Sequence, residues 1–200
     1  MRNLCFGGTF NPIHNGHLVC SRAVAGVMDA TRLVLIPSAT SPHKVGHADM
    51  ASAEDRLAMI RLAVADDPLY EVDDLELRRG GPSYTIDTVR QLKASRGWDE
   101  VNWLIGADQV AALPRWRDPD ALLREVNFVV MARPGWSFDW HTLPPVFRHL
   151  QDHVVEAPLL DISATDIRDR VRAGKSIDRL VPRAVADYIL ARNLYRDAPM

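Results

Sequence analysis

The chain has 200 residues, of which 47% are hydrophobic and 25% charged, and its formal net charge at pH 7 is −2. This composition predicts a single globular domain over residues 1–200 that can bury a full core. The near-neutral charge disfavours a general nucleic-acid binder, and no apolar run approaches the ~20 residues that cross a bilayer. Because glycines interrupt the first apolar run, no signal peptide is predicted, and we expect a cytoplasmic protein with no nucleic-acid or membrane partner.

Short apolar runs alternate with segments of helical periodicity along the chain. Strands are predicted in NLCF, RLVLIPS, YEVDDLEL, VNWLIG, NFVVMA and HVVEAPLL. Helices are predicted in GHLVCSRAVAGVM, AEDRLAMIRLAVAD, YTIDTVRQLKASRG, DPDALLREV, SATDIRDRVRAG and PRAVADYILARNLY. The alternation predicts an α/β fold, with a mostly parallel sheet covered by helices on both faces and a C-terminal helical part from about residue 163.

The stretch FGGTFNPIHNGHL, residues 6–18, lies between the first strand and the first helix. Gly7 and Gly8 lack Cβ atoms, so backbone N–H groups there can approach a phosphate closely. Asn15 is the expected N-cap, with His14 just outside the helix and His17 in its first turn. Both imidazoles would then border unpaired backbone donors. The stretch matches neither GxxxxGK[ST] nor GxGxxG, and the alternative is a glycine turn with two surface histidines.

A second candidate phosphate site lies in ISATDIR, residues 162–168. Ser163 and Asp166 have the spacing of a capping box, which predicts that a helix begins after the sixth strand. Thr165 and Arg168 are three residues apart and share a helix face. Arg168 could therefore direct its planar guanidinium at a phosphate beside the helix N-terminus. The alternative is an ordinary capped helix with a surface arginine.

The string HNGH resembles the HxGH signature of the nucleotidyltransferase superfamily, and ISATDIR resembles its ISSTxIR motif, with Ala164 in place of the second Ser. The resemblance implies a Rossmann-like fold and ATP as substrate, with Mg²⁺ carried by ATP. It implies catalytic roles for His14, His17 and Arg168. It also implies ATP binding by Gly7, Gly8, Thr9, Phe10, Ser163 and Thr165.

Three further segments, SPHK (41–44), SYTIDT (83–88) and GADQVAALPRW (106–116), resemble elements of the bacterial nicotinate-nucleotide adenylyltransferase family. That family joins ATP and nicotinate mononucleotide, giving deamido-NAD and pyrophosphate in NAD biosynthesis. The resemblance implies mononucleotide binding by Lys44, Tyr84, Thr85 and Trp116. It implies adenosine binding by Gly106 and Asp108. Arg133 follows the fifth strand and would add positive charge near the ATP phosphates, and the alternative is an ordinary loop arginine. Asn11 and Arg117 depart from the family pattern, which commonly has Asp and an aromatic or His residue there.

Other readings remain open at this point. A related enzyme could adenylylate nicotinamide mononucleotide or phosphopantetheine, although SYTIDT and LPRW disfavour the latter. A nucleotide sensor without catalysis is disfavoured by the intact His14, His17 and Arg168. An RNA-binding, synthetase-like fragment is disfavoured by the charge. No metal site is predicted, since His43 and His47 have no further ligand at a clear spacing. A homo-oligomer is compatible with the sequence.

Overall fold

The computed structural model describes residues 2–40 and 50–196, in which six strands and seven α-helices follow one another. The strands are β1 Asn3–Gly8, β2 Arg32–Pro37, β3 Tyr70–Val72, β4 Asn102–Gly106, β5 Asn127–Ala132 and β6 Val154–Glu156. The helices are α1 Asn15–Val27, α2 Ala53–Ala63, α3 Leu75–Arg79, α4 Thr85–Arg96, α5 Pro119–Glu125, α6 Ala164–Arg172 and α7 Arg183–Ala191. Short 3₁₀ helices span Ala107–Arg115, Trp140–Thr142 and Pro145–His153.

The strands form one sheet in the order β3-β2-β1-β4-β5-β6, and every neighbouring pair is parallel. The chain order runs outward from β1 in both directions, so β1 and β4 flank the point where the direction of winding reverses. Helix-covered sheets of this order carry their ligands at that point, beyond the carboxyl ends of the strands. The predicted Rossmann-like α/β fold is confirmed.

Alternate residues of the inner strands feed two separate apolar layers, because successive side chains of a strand point to opposite faces. Leu4 and Leu33 face the layer completed by α1, α2, α6 and α7. Cys5 and Val34 face the layer completed by α3, α4 and α5. Both faces of the sheet are therefore covered, which explains why its central strands are almost continuously apolar.

All six predicted strands are present, but the third is shorter than YEVDDLEL suggests. It ends at Val72, and Leu75–Arg79 forms a short helix instead. The Asp73 carboxylate accepts a hydrogen bond from the Leu75 N–H at 3.0 Å, and an Asp pair is unfavourable inside a strand. The acidic pair thus ends β3 and starts α3.

Helix α2 buries a different face from the one its leucines suggest. Leu62 is 39% exposed, whereas Arg56 is only 1% exposed. Arg56 donates from Nη1 to the Thr9 carbonyl at 2.7 Å, so its guanidinium is held against the segment after β1. Burying an arginine is costly unless its guanidinium is hydrogen-bonded. The contact with Thr9 holds the segment between β1 and α1. Within residues 2–40 and 50–196, no helix is both long and apolar enough to cross a membrane.

Candidate active site

A cleft of about 410 Å³ lies at the carboxyl ends of β1, β4 and β5. It is lined by His14, Gly16, His17, Cys20, Gly106, Ala107, Asp108, Met131, Ala132, Arg133, Trp136, Ala157, Pro158, Leu160 and Ile162. Five of the residues predicted for ATP therefore lie together there: His14, His17, Gly106, Asp108 and Arg133. They come from three separate stretches of the chain.

The two histidines of HNGH form one unit at the start of α1. Their rings are stacked, with centroids 3.6 Å apart and planes 25° from parallel. The His17 backbone N–H donates to His14 Nδ1, and the His14 backbone N–H donates to His17 Nδ1, each at 3.3 Å. The pair is thus a reciprocal capping box built from two imidazoles, where Ser or Thr and Glu are usual.

This geometry assigns the protons of both rings. A backbone N–H can only donate, so each Nδ1 must be an acceptor, and each neutral imidazole carries its proton on Nε2. His14 is 7% exposed, and burial lowers its pKa from 6.5 to about 4. At neutral pH, His14 is therefore an uncharged Nε2–H donor rather than a cation.

The predicted helix cap is wrong by one residue. The prediction that unpaired backbone N–H groups would border the imidazoles is also wrong for Asn15 and His17. His14, not Asn15, is the N-cap, and Asn15 is the first residue of α1. The Asn15 backbone N–H donates to the Leu180 carbonyl at 2.8 Å, and its side-chain amide donates to the Arg179 carbonyl at 2.8 Å. Because the backbone N–H groups of Asn15 and His17 already bond within the protein, the imidazole Nε2 atoms are the better donors for a ligand.

Gly16, between the two histidines, makes room for this arrangement. A Cβ at that position would lie 3.0 Å from His14 Nδ1. Gly106 has a comparable role at the end of β4, where a Cβ would lie 2.5 Å from the Asp108 carboxylate. Both glycines let a polar side chain fold back over the backbone at the cleft.

The glycines of β1 are explained by packing. A Cβ at Gly7 would lie 2.5 Å from the indole of Trp103 on the neighbouring β4, and one at Gly8 would lie 3.0 Å from the Phe10 ring. The Phe10 ring in turn packs edge-on to the ring of His17, with centroids 5.1 Å apart. Gly7, Gly8, Thr9 and Phe10 are outside the set of residues that line the cleft in the described chain.

Arg168 contacts the opening stretch of residues 6–18. It donates from Nη1 to the Asn11 carbonyl at 3.0 Å and from Nη2 to Thr165 Oγ1 at 3.4 Å. Ser163 caps α6 by accepting from the Asp166 backbone N–H at 3.1 Å. The two distant segments therefore converge, but Arg168 supports the loop that leads into His14 and does not line the cleft in the described chain.

Three of the residues predicted for the mononucleotide, Tyr84, Thr85 and Trp116, belong to the described chain. The Arg117 guanidinium lies 4.6 Å from the centre of the Tyr84 ring, so SYTIDT contacts the residue that follows LPRW. Trp116 is half-buried and meets Phe128 edge-on at 6.3 Å. Thr85 is the first residue of α4. In the described chain, none of Tyr84, Thr85 and Trp116 lines the cleft at His14. Lys44, with SPHK, lies outside the described residues.

A buried carboxyl group that the sequence analysis missed anchors SYTIDT. Thr88, which is fully buried, donates its hydroxyl to Glu76 at 2.5 Å, and Ser83 also hydrogen-bonds to this carboxyl. Burial is the main influence on Glu76 and raises its pKa. Ser83 Oγ accepts from the Ala39 N–H at 2.9 Å, which fixes the start of α4 beside the chain that leaves β2.

Two further cleft residues, Trp136 and Cys20, were not predicted as part of the site. Trp136 lies four residues beyond the end of β5, and its place at the carboxyl edge of a strand was the available signal. Its ring is stacked on Phe138 with centroids 5.8 Å apart. The Cys20 thiol donates to the Pro158 carbonyl at 3.4 Å, and burial raises its pKa, so it is a poor nucleophile.

The cleft has one carboxylate among its lining residues, that of Asp108. In the described part of the chain, no three His, Cys, Asp or Glu side chains form a group that could hold a metal ion. A dication that binds mainly to the oxygens of a polyphosphate fits such a site, because it needs few protein ligands.

Together, the fold and the cleft define an α/β protein with a ligand site at the switch point of its parallel sheet, whose polar groups suit an anionic ligand. Residues 5–170 match the model of the cytidylyltransferase-like family. A probable nicotinate-nucleotide adenylyltransferase of Roseiflexus sp. is 44% identical over 95% of this chain and 96% of its own, and one of Geobacillus kaustophilus is 43% identical over 95% and 84%. The nicotinic acid mononucleotide adenylyltransferase of Plasmodium falciparum complexed with NaAD superposes with a TM-score of 0.76, at 18% identity and 98% coverage of both chains.

The chain therefore belongs to the cytidylyltransferase-like family, among its nicotinate-nucleotide adenylyltransferase relatives.

Proposed function

We propose that this protein transfers the adenylyl group of ATP to nicotinate mononucleotide, giving deamido-NAD and pyrophosphate. The observation that carries the proposal is the stacked pair of His14 and His17 in the cleft at the switch point of the sheet. The relatives that share 44% and 43% identity over nearly the whole chain support the same activity.

The reaction needs positioning and charge stabilisation more than proton transfer. A phosphate oxygen of the mononucleotide attacks the α-phosphorus of ATP, a new P–O bond forms, and the bond to the β-phosphate oxygen breaks as pyrophosphate leaves. The attacking phosphate is already ionised at neutral pH, so no general base is required. Charge accumulates on the phosphoryl oxygens and the leaving group, where preorganised donors have the greatest effect.

We assign the donors to the two imidazoles. Because Nδ1 of each ring accepts from the backbone, the rings are fixed and Nε2 carries the proton. An uncharged donor keeps its proton through the reaction, so His14 acts by hydrogen bonding and not as an acid. Arg133 adds positive charge at the cleft. Arg168 completes the phosphate site by supporting the loop at Asn11, and Thr165 holds Arg168 by accepting a hydrogen bond from its Nη2.

Each of the remaining residues is assigned to one of the two substrates. We assign Gly7, Gly8, Thr9, Phe10, Ser163, Gly106 and Asp108 to the ATP side of the site. We assign Lys44, Tyr84, Thr85 and Trp116 to the mononucleotide. A Trp ring stacked on a pyridinium contributes about 0.5–2 kcal/mol, and the first N–H groups of α4 suit a carboxylate, which favours nicotinate over nicotinamide.

We propose that Mg²⁺ enters with ATP. When bound, it neutralises charge on the phosphate oxygens. Asp108 supplies the one carboxylate among the residues that line the cleft in the described chain, and a carboxylate oxygen is a suitable ligand for the ion. We also propose that residues 1–200 form one domain, in which α6 and α7 pack on the same layer as α1 and α2.

The test is pyrophosphate release by the purified protein with Mg-ATP and either nicotinate or nicotinamide mononucleotide. We expect faster release with the nicotinate form and deamido-NAD as the product. No release with either acceptor would refute the activity, and equal or faster release with the nicotinamide form would refute the choice of substrate.

A variant ties the activity to this cleft. His17→Ala removes one donor to the phosphates, and the loss of such a donor lowers kcat about 10²–10³-fold. We expect the KM for ATP to change much less. His141→Ala is the matched control, because His141 is an exposed histidine outside the cleft. An unchanged kcat in His17→Ala would remove His17 from the chemistry.

A further inference from the structure

The loop between β1 and α1 is held by a residue near the end of the chain. Asn11 is 8% exposed, and its Oδ1 accepts two hydrogen bonds, from the Tyr195 hydroxyl at 2.9 Å and from the Ala51 N–H at 3.0 Å. Asn11 and Tyr195 are 184 residues apart in the sequence. His14 follows Asn11 by three residues, so a contact that fixes Asn11 also constrains the imidazole that caps α1.

Both ends of this contact carry backbone strain. Tyr195 has a φ of 61° and Phe10, next to Asn11, has a φ of 48°, both in the left-handed region that residues with a Cβ seldom adopt. Such conformations cost about 1–3 kcal/mol each and persist only where surrounding contacts determine them. Two contacts hold Tyr195 in this conformation. Its ring packs against the apolar layer completed by α1, α2, α6 and α7, and its hydroxyl donates a hydrogen bond to Asn11.

The hydroxyl of Tyr195 is suited to being a permanent donor. Burial raises its pKa, while the nearby guanidinium groups of Arg168 and Arg56 oppose that rise only in part. The same two arginines donate to carbonyls of the loop, Arg168 to Asn11 and Arg56 to Thr9. The loop is thus held by three side chains from α2, α6 and the C-terminal segment.

We propose that Tyr195 is a positioning residue for adenylyl transfer, acting through Asn11 to hold His14 in its capping geometry at the cleft. Tyr195 is outside the set of residues that line the cleft in the described chain. It fixes the loop whose displacement would move Nε2 of His14 away from the phosphate oxygens. The kinetic part of this inference rests on the proposed function, whereas the structural part does not.

The chain offers a matched control for the test. Tyr188, on α7, donates its hydroxyl to Asp55 Oδ1 at 2.9 Å and so also ties the C-terminal region to α2. Tyr188→Phe and Tyr195→Phe each remove one such hydrogen bond, but only Tyr195 contacts the loop. A purely stabilising role predicts similar behaviour of the two variants, whereas a positioning role predicts that they differ.

Two measurements distinguish these outcomes. The first is steady-state kinetics: we expect Tyr195→Phe to lower kcat about tenfold with the KM for ATP within about twofold, and Tyr188→Phe to keep the wild-type kcat. The second is NMR titration of the His14 ring in the protein without substrates. We expect Tyr195→Phe to raise the pKa of His14 from about 4 toward 6.5, because a released loop admits water, and Tyr188→Phe to leave it unchanged.

Asn11 provides a second test from the other side of the contact. Asn11→Ala removes the acceptor of both hydrogen bonds without adding a charge, so we expect it to raise the pKa of His14 as Tyr195→Phe does. Tyr195→Phe behaving like Tyr188→Phe in both measurements would overturn the inference. A wild-type protein without adenylyl transfer, combined with the expected change of His14 in Tyr195→Phe, would refute the proposed function and leave the structural role of Tyr195 supported.

Discussion

Replacing His14 by Asn tests the electrostatic state of the site through protein stability. Burial lowers the pKa of His14 from 6.5 to about 4, so as the pH falls the unfolded chain takes up the proton before the folded protein does. The stabilisation from the neutral ring is complete above about pH 6.5 and is lost as the pH falls to about 4. The difference between the pKa values of 6.5 and about 4 corresponds to about 3 kcal/mol of unfolding free energy, of which about 2 kcal/mol is lost by pH 5.

Asn is a favourable N-cap residue without a titrating ring, so His14→Asn should keep the cap of α1. We expect the free energy of unfolding of the wild type to fall about 2 kcal/mol more than that of His14→Asn between pH 7.5 and pH 5. Urea denaturation at the two pH values measures this difference. Ser163→Asn is the control, since it exchanges the cap of α6 without removing an imidazole. An equal fall in the wild type and His14→Asn would refute the assignment of His14 as a buried neutral ring.

Three other substitutions test separate features. Gly7→Ala places a methyl group 2.5 Å from the buried Trp103 indole, and we expect a loss of about 1–3 kcal/mol of unfolding free energy in urea. Thr88→Val leaves the buried Glu76 carboxyl without its 2.5 Å donor, which should cost about 1–3 kcal/mol by thermal denaturation. Arg168→Lys replaces a planar fork by a point charge and should lower kcat, whereas wild-type kinetics would exclude a role in the phosphate site.

Two controls define what would contradict the stability predictions. Gly26, in α1, faces open space, and a Cβ added there would have no atom within 4 Å, so Gly26→Ala should raise the unfolding free energy by about 0.5–1 kcal/mol. Thr142 donates its hydroxyl to the Asp139 carbonyl at an exposed position, and we expect Thr142→Val to change stability by less than about 0.5 kcal/mol. If Gly7→Ala matched Gly26→Ala, or Thr88→Val matched Thr142→Val, burial would not be what sets the loss of unfolding free energy.

The sequence determined the order of the elements and the location of the site. Strands such as VNWLIG and NFVVMA are short buried runs, and helices such as DPDALLREV carry their cap at Asp118, so local patterns suffice to predict them. The parallel direction of the strands follows from that alternation. In the observed order, β1, β4 and β5 are neighbours, so His14, Asp108 and Arg133 meet because each follows the carboxyl end of one of these strands.

Only the tertiary structure decided which groups hold that site together. His14 is the N-cap of α1 because each imidazole accepts a hydrogen bond from the backbone N–H of the other histidine. Gly7 is required because the indole of Trp103, on another strand, fills the space that a Cβ would take. Arg56 and Tyr195 reach the opening loop from distant parts of the chain. Periodicity records how a residue relates to its near neighbours, whereas these contacts depend on side chains brought together by folding, and no local pattern encodes them.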